Sequence, residues 1–266
     1  MKMRKNIFFL LLSLFLFSLP IFKAQGANDL LSILKHVDSI MVEDNAKYKL
    51  RMAVTRGDKT VEYEMTLWSK GRNFVARTEK PIAQKGQVFL INNNNCWTYY
   101  PNINKSVKTS QNQRLLGGDF SFTDLASVNL IEDYDSEFYK LRKEDIWEMP
   151  FVDGEFEELI EKGVTLQCLA KEGRTVTYPK VMVFIDESGN PVRLDFFTIS
   201  GQLLGVLFYQ DYGNLGGKEK PLTMVMRASL NSANYTTITH LEANYDLNVP
   251  QIYFTEAYMK NLSIGR

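Results

Sequence analysis

The stretch YKLRMAVTRGDKTVEYEMTL, residues 48–67, decides the fold. Tyr48, Leu50, Met52 and Val54 alternate with Lys49, Arg51 and Ala53. After Gly57-Asp58, Val61, Tyr63, Met65 and Leu67 alternate with Glu62, Glu64 and Thr66. Period-two apolar patterning on both sides of a Gly-Asp turn predicts an antiparallel hairpin. Further strands are expected at 74–77, 87–91, 96–100, 138–141, 164–170, 175–185, 192–198, 203–209, 222–230 and 236–245. Turn chemistry separates many of them, as at Asn92–Asn95, Glu172-Gly173, Ser188-Gly189-Asn190, Ser200-Gly201 and Gly213–Gly217. Consecutive strands joined by tight turns are antiparallel neighbours, and about a dozen of them in one sheet must curl or close. The class is therefore mainly β.

Helical spacing is rarer. Leu30, Leu31, Leu34, Val37, Ile40 and Met41 predict one amphipathic helix over 28–44 behind an Asn28 or Asp29 cap. Ser121-Phe122-Thr123-Asp124 fits a capping box and opens a second helix running toward Leu130. Ahead of that box, Leu115-Leu116-Gly117-Gly118-Asp119-Phe120 reads either as a loop tucked under its own aromatics or as a mobile plug.

The N-terminus carries Lys2, Arg4 and Lys5, an apolar run over 7–19 and the small residues Ala24 to Ala27. This is the layout of a secretory signal peptide cleaved near residue 26, leaving one domain over 27–266. The first cysteine is Cys96, so no lipid anchor is expected at the cleavage point. The whole chain has 31 basic and 31 acidic residues, and loss of residues 1–26 removes four of the cations and no acid. No basic excess is left for nucleic acid. Cys96 and Cys168 could pair in an oxidising compartment or stay as buried thiols. His36 and His240 are too isolated for a zinc site, and no metal or cofactor is expected.

Several strands keep large apolar groups on both parities, among them Val181–Ile185, Leu203–Phe208 and Met224–Met226. Either two covering layers or a cavity under helical lids explains this. On the cavity reading, the wall draws on Tyr63, Met65, Leu67, Phe89, Ile91, Trp97, Tyr99, Phe184, Phe196, Leu204, Phe208, Met224 and Met226. Phe120 and Phe122 would serve as the plug, with Gly117 and Gly118 as its hinge. Register is the weak point, because a slip of one residue turns a strand's set outward.

The run Tyr99-Tyr100-Pro101-Asn102-Ile103-Asn104-Lys105, then Gly117 to Leu125, resembles the signature of the LolA-like, outer-membrane lipoprotein-sorting family. Pro179-Lys180-Val181, Gly189 to Arg193, Gln210-Asp211-Tyr212 and Pro221 to Met226 follow in the order that family shows. The resemblance implies a strongly curved antiparallel sheet, an unclosed barrel, with helices capping an apolar cavity for acyl chains. It implies a monomeric periplasmic carrier of a lipoprotein or lipid, working beside an RND-type or ABC-type inner-membrane exporter. Leu116-Gly117-Gly118 and Val176-Thr177-Tyr178 depart from the family pattern and leave the cargo open.

Shielding an acyl chain of ~16 carbons is worth roughly 12 kcal/mol, at ~0.8 kcal/mol per methylene. Such a carrier needs a lidded apolar cavity and no catalytic group. The chain has no Gly-x-Ser-x-Gly elbow, no His-Glu-x-x-His and no phosphate loop. Two other readings stand beside the carrier: a sensor or adaptor binding a membrane-protein segment on the same fold, and a hydrolase using Asp119, Asp124, Glu132 and Asp133. Those four acids read more simply as helix caps and loop solvation.

Overall fold

The computed structural model describes residues 27–265 apart from 42, 94, 126–128, 148 and 229. The expected signal peptide lies outside the described residues. Helix α1 (Ala27–Met41) leads into β1 (Asn45–Arg56), β2 (Lys59–Lys70), β3 (Asn73–Lys80), β4 (Val88–Asn92), β5 (Asn95–Tyr100) and β6 (Lys105–Thr109). Short helices α2 (Phe122–Leu125) and α3 (Leu130–Asp133) precede β7 (Tyr134–Phe138). After α4 (Lys143–Trp147) and α5 (Gly154–Lys162) come β8 (Val164–Ala170), β9 (Lys180–Ile185), β10 (Pro191–Phe197), β11 (Leu203–Leu215), β12 (Lys218–Arg227) and β13 (Asn234–Asn244), and α6 (Met259–Ser263) follows.

All thirteen strands form one antiparallel sheet in the order β6-β5-β4-β3-β2-β1-β13-β12-β11-β10-β9-β8-β7. Two meanders, β1–β6 and β7–β13, are joined where β1 pairs with β13, Met52 lying opposite Ile238. The hairpin of residues 48–67 is the start of this sheet, with Val54 opposite Val61. Because β6 and β7 are the two outer edges, the chain between them must cross the sheet, and it does so over the inner face. Leu115, Phe120, Phe122 and Leu130 on this crossing segment are fully buried there.

The sheet has two covered faces. The inner one packs Leu34 and Val37 of α1 and the crossing segment onto Leu50, Met52, Met65, Phe74, Phe89, Val183, Phe196 and Ile238. Outside, Val249, Phe254, Met259 and Leu262 cover Val75, Val88, Leu90 and Tyr99. Ile146 and Ile160 of α4 and α5, with Phe156, cover Met182 and Phe184. This second layer explains the strands that are apolar on both parities.

Some boundaries differ from the sequence reading. Helix α1 ends at Met41, short of the expected Asp44, and Asn28 and Asp29 lie inside it. The strand expected at 138–141 does not form: β7 lies earlier, at Tyr134–Phe138, and shares only Phe138 with that range. Strand β6 was hidden by its polar composition, KSVKT. Helix α5 is marked by an Asp153 cap that accepts from the Phe156 amide at 2.9 Å, a signal the sequence carried. The capping box forms as expected: the Ser121 amide donates to Asp124 Oδ2 at 2.5 Å and the Asp124 amide donates to Ser121 Oγ at 3.4 Å. Cys96 and Cys168 are buried free thiols, which closes the question of their pairing. Burial pushes their pKa values up to about 11 and about 12.

Candidate lipid-binding cavity

Between α1 and strands β1–β3 and β10–β13 lies a cavity of about 110 Å³. Leu50, Leu67, Phe74, Leu194, Phe196, Leu207 and Ile238 form its apolar wall, and Ile40 and Met41 of α1 form its roof. It is smaller than the ~150 Å³ of cavities that admit benzene. A whole acyl chain therefore fits only if α1 or the crossing segment moves.

The expected wall residues divide between the two faces. Tyr63, Met65, Leu67, Phe89, Ile91, Phe120, Phe122, Phe196 and Met226 lie in the inner cluster, with Met224 packed against it. Leu67, Phe196 and Met224 line the cavity itself. Trp97 and Tyr99 instead face outward under the C-terminal segment, and Cys96 is the residue of β5 in the inner cluster. Phe184 also faces outward, under α5, while Val181, Val183 and Ile185 point in. Phe208 faces outward, its ring 6.4 Å from that of Phe156, and Leu207 and Tyr209 take the inner positions. Leu204 is 37% exposed. Phe196 pairs with Gly205 and Phe197 with Leu203, so Leu204 is the extra residue of a bulge. For Trp97, Tyr99, Phe184 and Phe208 the outer layer is the cause: parity cannot separate faces that are both apolar.

The outer face also holds a charge pair that the sequence reading missed. Arg193, between Phe184 and Phe208 on neighbouring strands, is fully buried. Its guanidinium donates to both carboxylate oxygens of Asp195, at 2.5 and 2.9 Å, and to the Pro150 carbonyl at 2.9 Å. The rings of Phe156, Phe184 and Phe208 stand 5.2 to 5.7 Å from it. Burial raises the Asp195 pKa, with Arg193 opposing.

The crossing segment is fastened through its acids. At its tip, Leu116 and Gly117 have positive φ, 51° and 75°, and a Cβ on Gly118 would lie 2.5 Å from Met52 Cε. Glycine at 118 is therefore a close-approach residue. Asp119 accepts from Arg56 Nη1 at 2.9 Å and from the Thr236 hydroxyl at 2.8 Å, while Arg56 Nη2 donates to the Gly117 carbonyl at 2.9 Å. Phe122 rests on Phe74 and Phe89, ring centres 6.4 and 5.8 Å away. Asp124 lines the cavity and accepts from the Tyr178 hydroxyl at 2.7 Å and the Ser121 hydroxyl at 2.7 Å. Burial raises its pKa, and these hydrogen bonds oppose the shift. Glu132 and Asp133 pair with Arg72, each at 2.8 Å. The four acids thus serve as cap and clasps, not as a carboxylate pair across a cleft.

Tyr48, Tyr209, Glu43, Lys220 and His240 also line the cavity and were not read as wall residues from the sequence. His240 has its Nδ1 3.2 Å from the Pro221 carbonyl oxygen, and burial pulls its pKa down to about 4. Among the described residues, no group of three or more His, Cys, Asp or Glu could hold a metal ion. No described helix is long and apolar enough to cross a membrane.

The fold is LolA-like. A LolA superfamily protein from Nitrosomonas europaea superimposes with a TM-score of 0.68 at 23% identity, over 86% of this chain and 98% of that one. A putative outer membrane lipoprotein-sorting protein domain from Vibrio parahaemolyticus gives 0.67 at 19% identity, over 86% and 97%. A DUF1329 family protein from Desulfovibrio piger gives 0.72 at 15%, over 89% and 100%. A family model described as an uncharacterized protein matches residues 70–261, and the chain belongs to that family. A search of curated proteins finds no match.

Proposed function

We infer that this protein is an exported carrier that takes an acyl chain of a lipid or lipoprotein into the space between α1 and the inner face of the sheet. One observation carries the reading: an unclosed sheet with an apolar inner face, roofed by one helix and one clasped segment around an apolar cavity. A roof of this kind can lift without breaking any strand pairing. The crossing segment is fastened by Asp119, Asp124 and the Arg72 clasp on Glu132 and Asp133, and α1 by Asp38, which accepts from the Leu130 and Ile131 amides, and by Lys220, which donates to the Ser39 and Ile40 carbonyls. Moving a chain from bilayer to cavity is close to neutral in free energy, so direction must come from a pump or a tighter acceptor. An RND-type or ABC-type exporter in the inner membrane is the partner this reading assigns, with the carrier working as a periplasmic monomer after removal of residues 1–26. Solvation, capping and burial account for the acids, so the function needs no catalytic residue.

The small cavity and the two unpaired edges, β6 and β7, favour a second reading. In it an extended segment of a membrane protein adds to an edge, and the inner face stays closed. Native mass spectrometry of protein released gently from its source separates the two. A carrier shows lipid adducts at stoichiometric occupancy, whereas an adaptor shows the bare chain mass.

A further inference from the structure

At the end of α1 a single carboxylate holds two ammonium groups. Glu43 Oε1 lies 2.6 Å from Lys220 Nζ and Glu43 Oε2 lies 2.6 Å from Lys218 Nζ. Lys220 is almost wholly buried, its side chain 7% exposed, and its remaining donors go to the carbonyls of Ser39, at 2.5 Å, and Ile40, at 3.1 Å. Both Glu43 and Lys220 line the apolar cavity. Outside it, a polar surface depression bounded by Ser39, Asn45 and Tyr245 shares Ile40, Glu43 and Lys220 with the cavity. The ion pair therefore stands where apolar space meets water.

Resting on the carrier reading, we propose that the cavity accepts a single-chain amphiphile with a carboxylate head, of the fatty-acid type, entering at the C-terminal end of α1. Its head takes the place of Glu43 against Lys220. Among the described residues that line the cavity, Lys220 is the only lysine or arginine, and Asp124, the other acid there, is held by Ser121 and Tyr178. An anionic head thus has one partner, at the mouth. Exchanging one carboxylate for another keeps Lys220 paired, and the displaced Glu43 side chain keeps Lys218, which is half exposed, as a partner in water. A neutral head offers no such exchange and would leave a buried ammonium competing with an uncharged group.

The probes are cis-parinaric acid and its methyl ester, titrated by fluorescence into the wild type, Lys220→Met, Lys218→Met and Glu43→Gln, with a thermal melt of each. The wild type is expected to bind the acid about tenfold more tightly than the ester. Lys220→Met removes that preference while ester binding persists, Glu43→Gln tightens acid binding severalfold, and Lys218→Met leaves most of the preference in place. Equal affinities for acid and ester in the wild type, or a preference surviving in a folded Lys220→Met, overturn the proposal. If Lys220→Met does not fold, Glu43→Gln decides: unchanged or weaker acid binding overturns it. Binding of neither probe by the wild type overturns the carrier reading as well.

Discussion

His240 ties one side chain to the pH response of the whole fold. Its pKa falls from about 6.5 in the unfolded chain to about 4 in the cavity wall, through burial and the nearby Lys220 ammonium. Between those values the unfolded state binds the proton and the folded state does not, so this contribution is complete above pH 6.5 and is lost as pH falls toward 4. His240→Gln is expected to flatten the loss of melting temperature between pH 7 and pH 5. Equal losses in variant and wild type would show that His240 is not the group responsible. Asp38, Asp124 and Asp195 have pKa values raised by burial and act in the opposite sense, and comparison of variant with wild type cancels them. The Arg193–Asp195 pair makes a second test. Asp195→Asn leaves a buried guanidinium without its counter-charge and should cost about 3–5 kcal/mol, read by urea unfolding. The double change Arg193→Met with Asp195→Leu removes both charges and should cost less than the single one.

Among the elements, the crossing segment and the C-terminal segment have distinct duties. Phe120 and Phe122 are almost wholly buried in the inner cluster, so changing either to Ala should cost about 3–5 kcal/mol. If the segment is also a lid, the double variant should alter the binding of a fluorescent acyl probe beyond what its stability loss explains. A large fall in melting temperature with unaltered probe affinity would make the two rings core and nothing more. Removing residues 248–266 uncovers Val75, Val88 and Leu90, and aggregation on gel filtration is the expected outcome. The hairpin 48–67, helix α1 and the capping box at Ser121 were legible in the sequence because each rests on a local rule of period or capping. The orientations of Trp97, Tyr99, Phe184 and Phe208 were not. They depend on a second layer made by α4, α5 and the chain after β13, which pairs with its face only through tertiary contact. Glu43 and Lys220 lie 177 positions apart and meet only because β12 begins beside the start of β1, a neighbourhood set by β13 between them.

At the scale of the whole molecule, the open sheet and its roof of α1 and the crossing segment bound one cavity. The cavity as it stands has room for only a fragment of an acyl chain, so on the carrier reading binding must lift α1 or the crossing segment and lengthen the apolar space along the inner face. The measurement that tests this most directly is a titration of the wild type and a Leu207→Trp variant with a long-chain fluorescent acyl probe. Leu207 lines the cavity from β11, and the larger ring occupies the space the chain would enter. Saturable binding of about one probe per chain by the wild type, weakened severalfold in a variant that still melts cooperatively, is the predicted result. Absence of saturable binding by the wild type, or binding untouched by the filled cavity, would contradict the account.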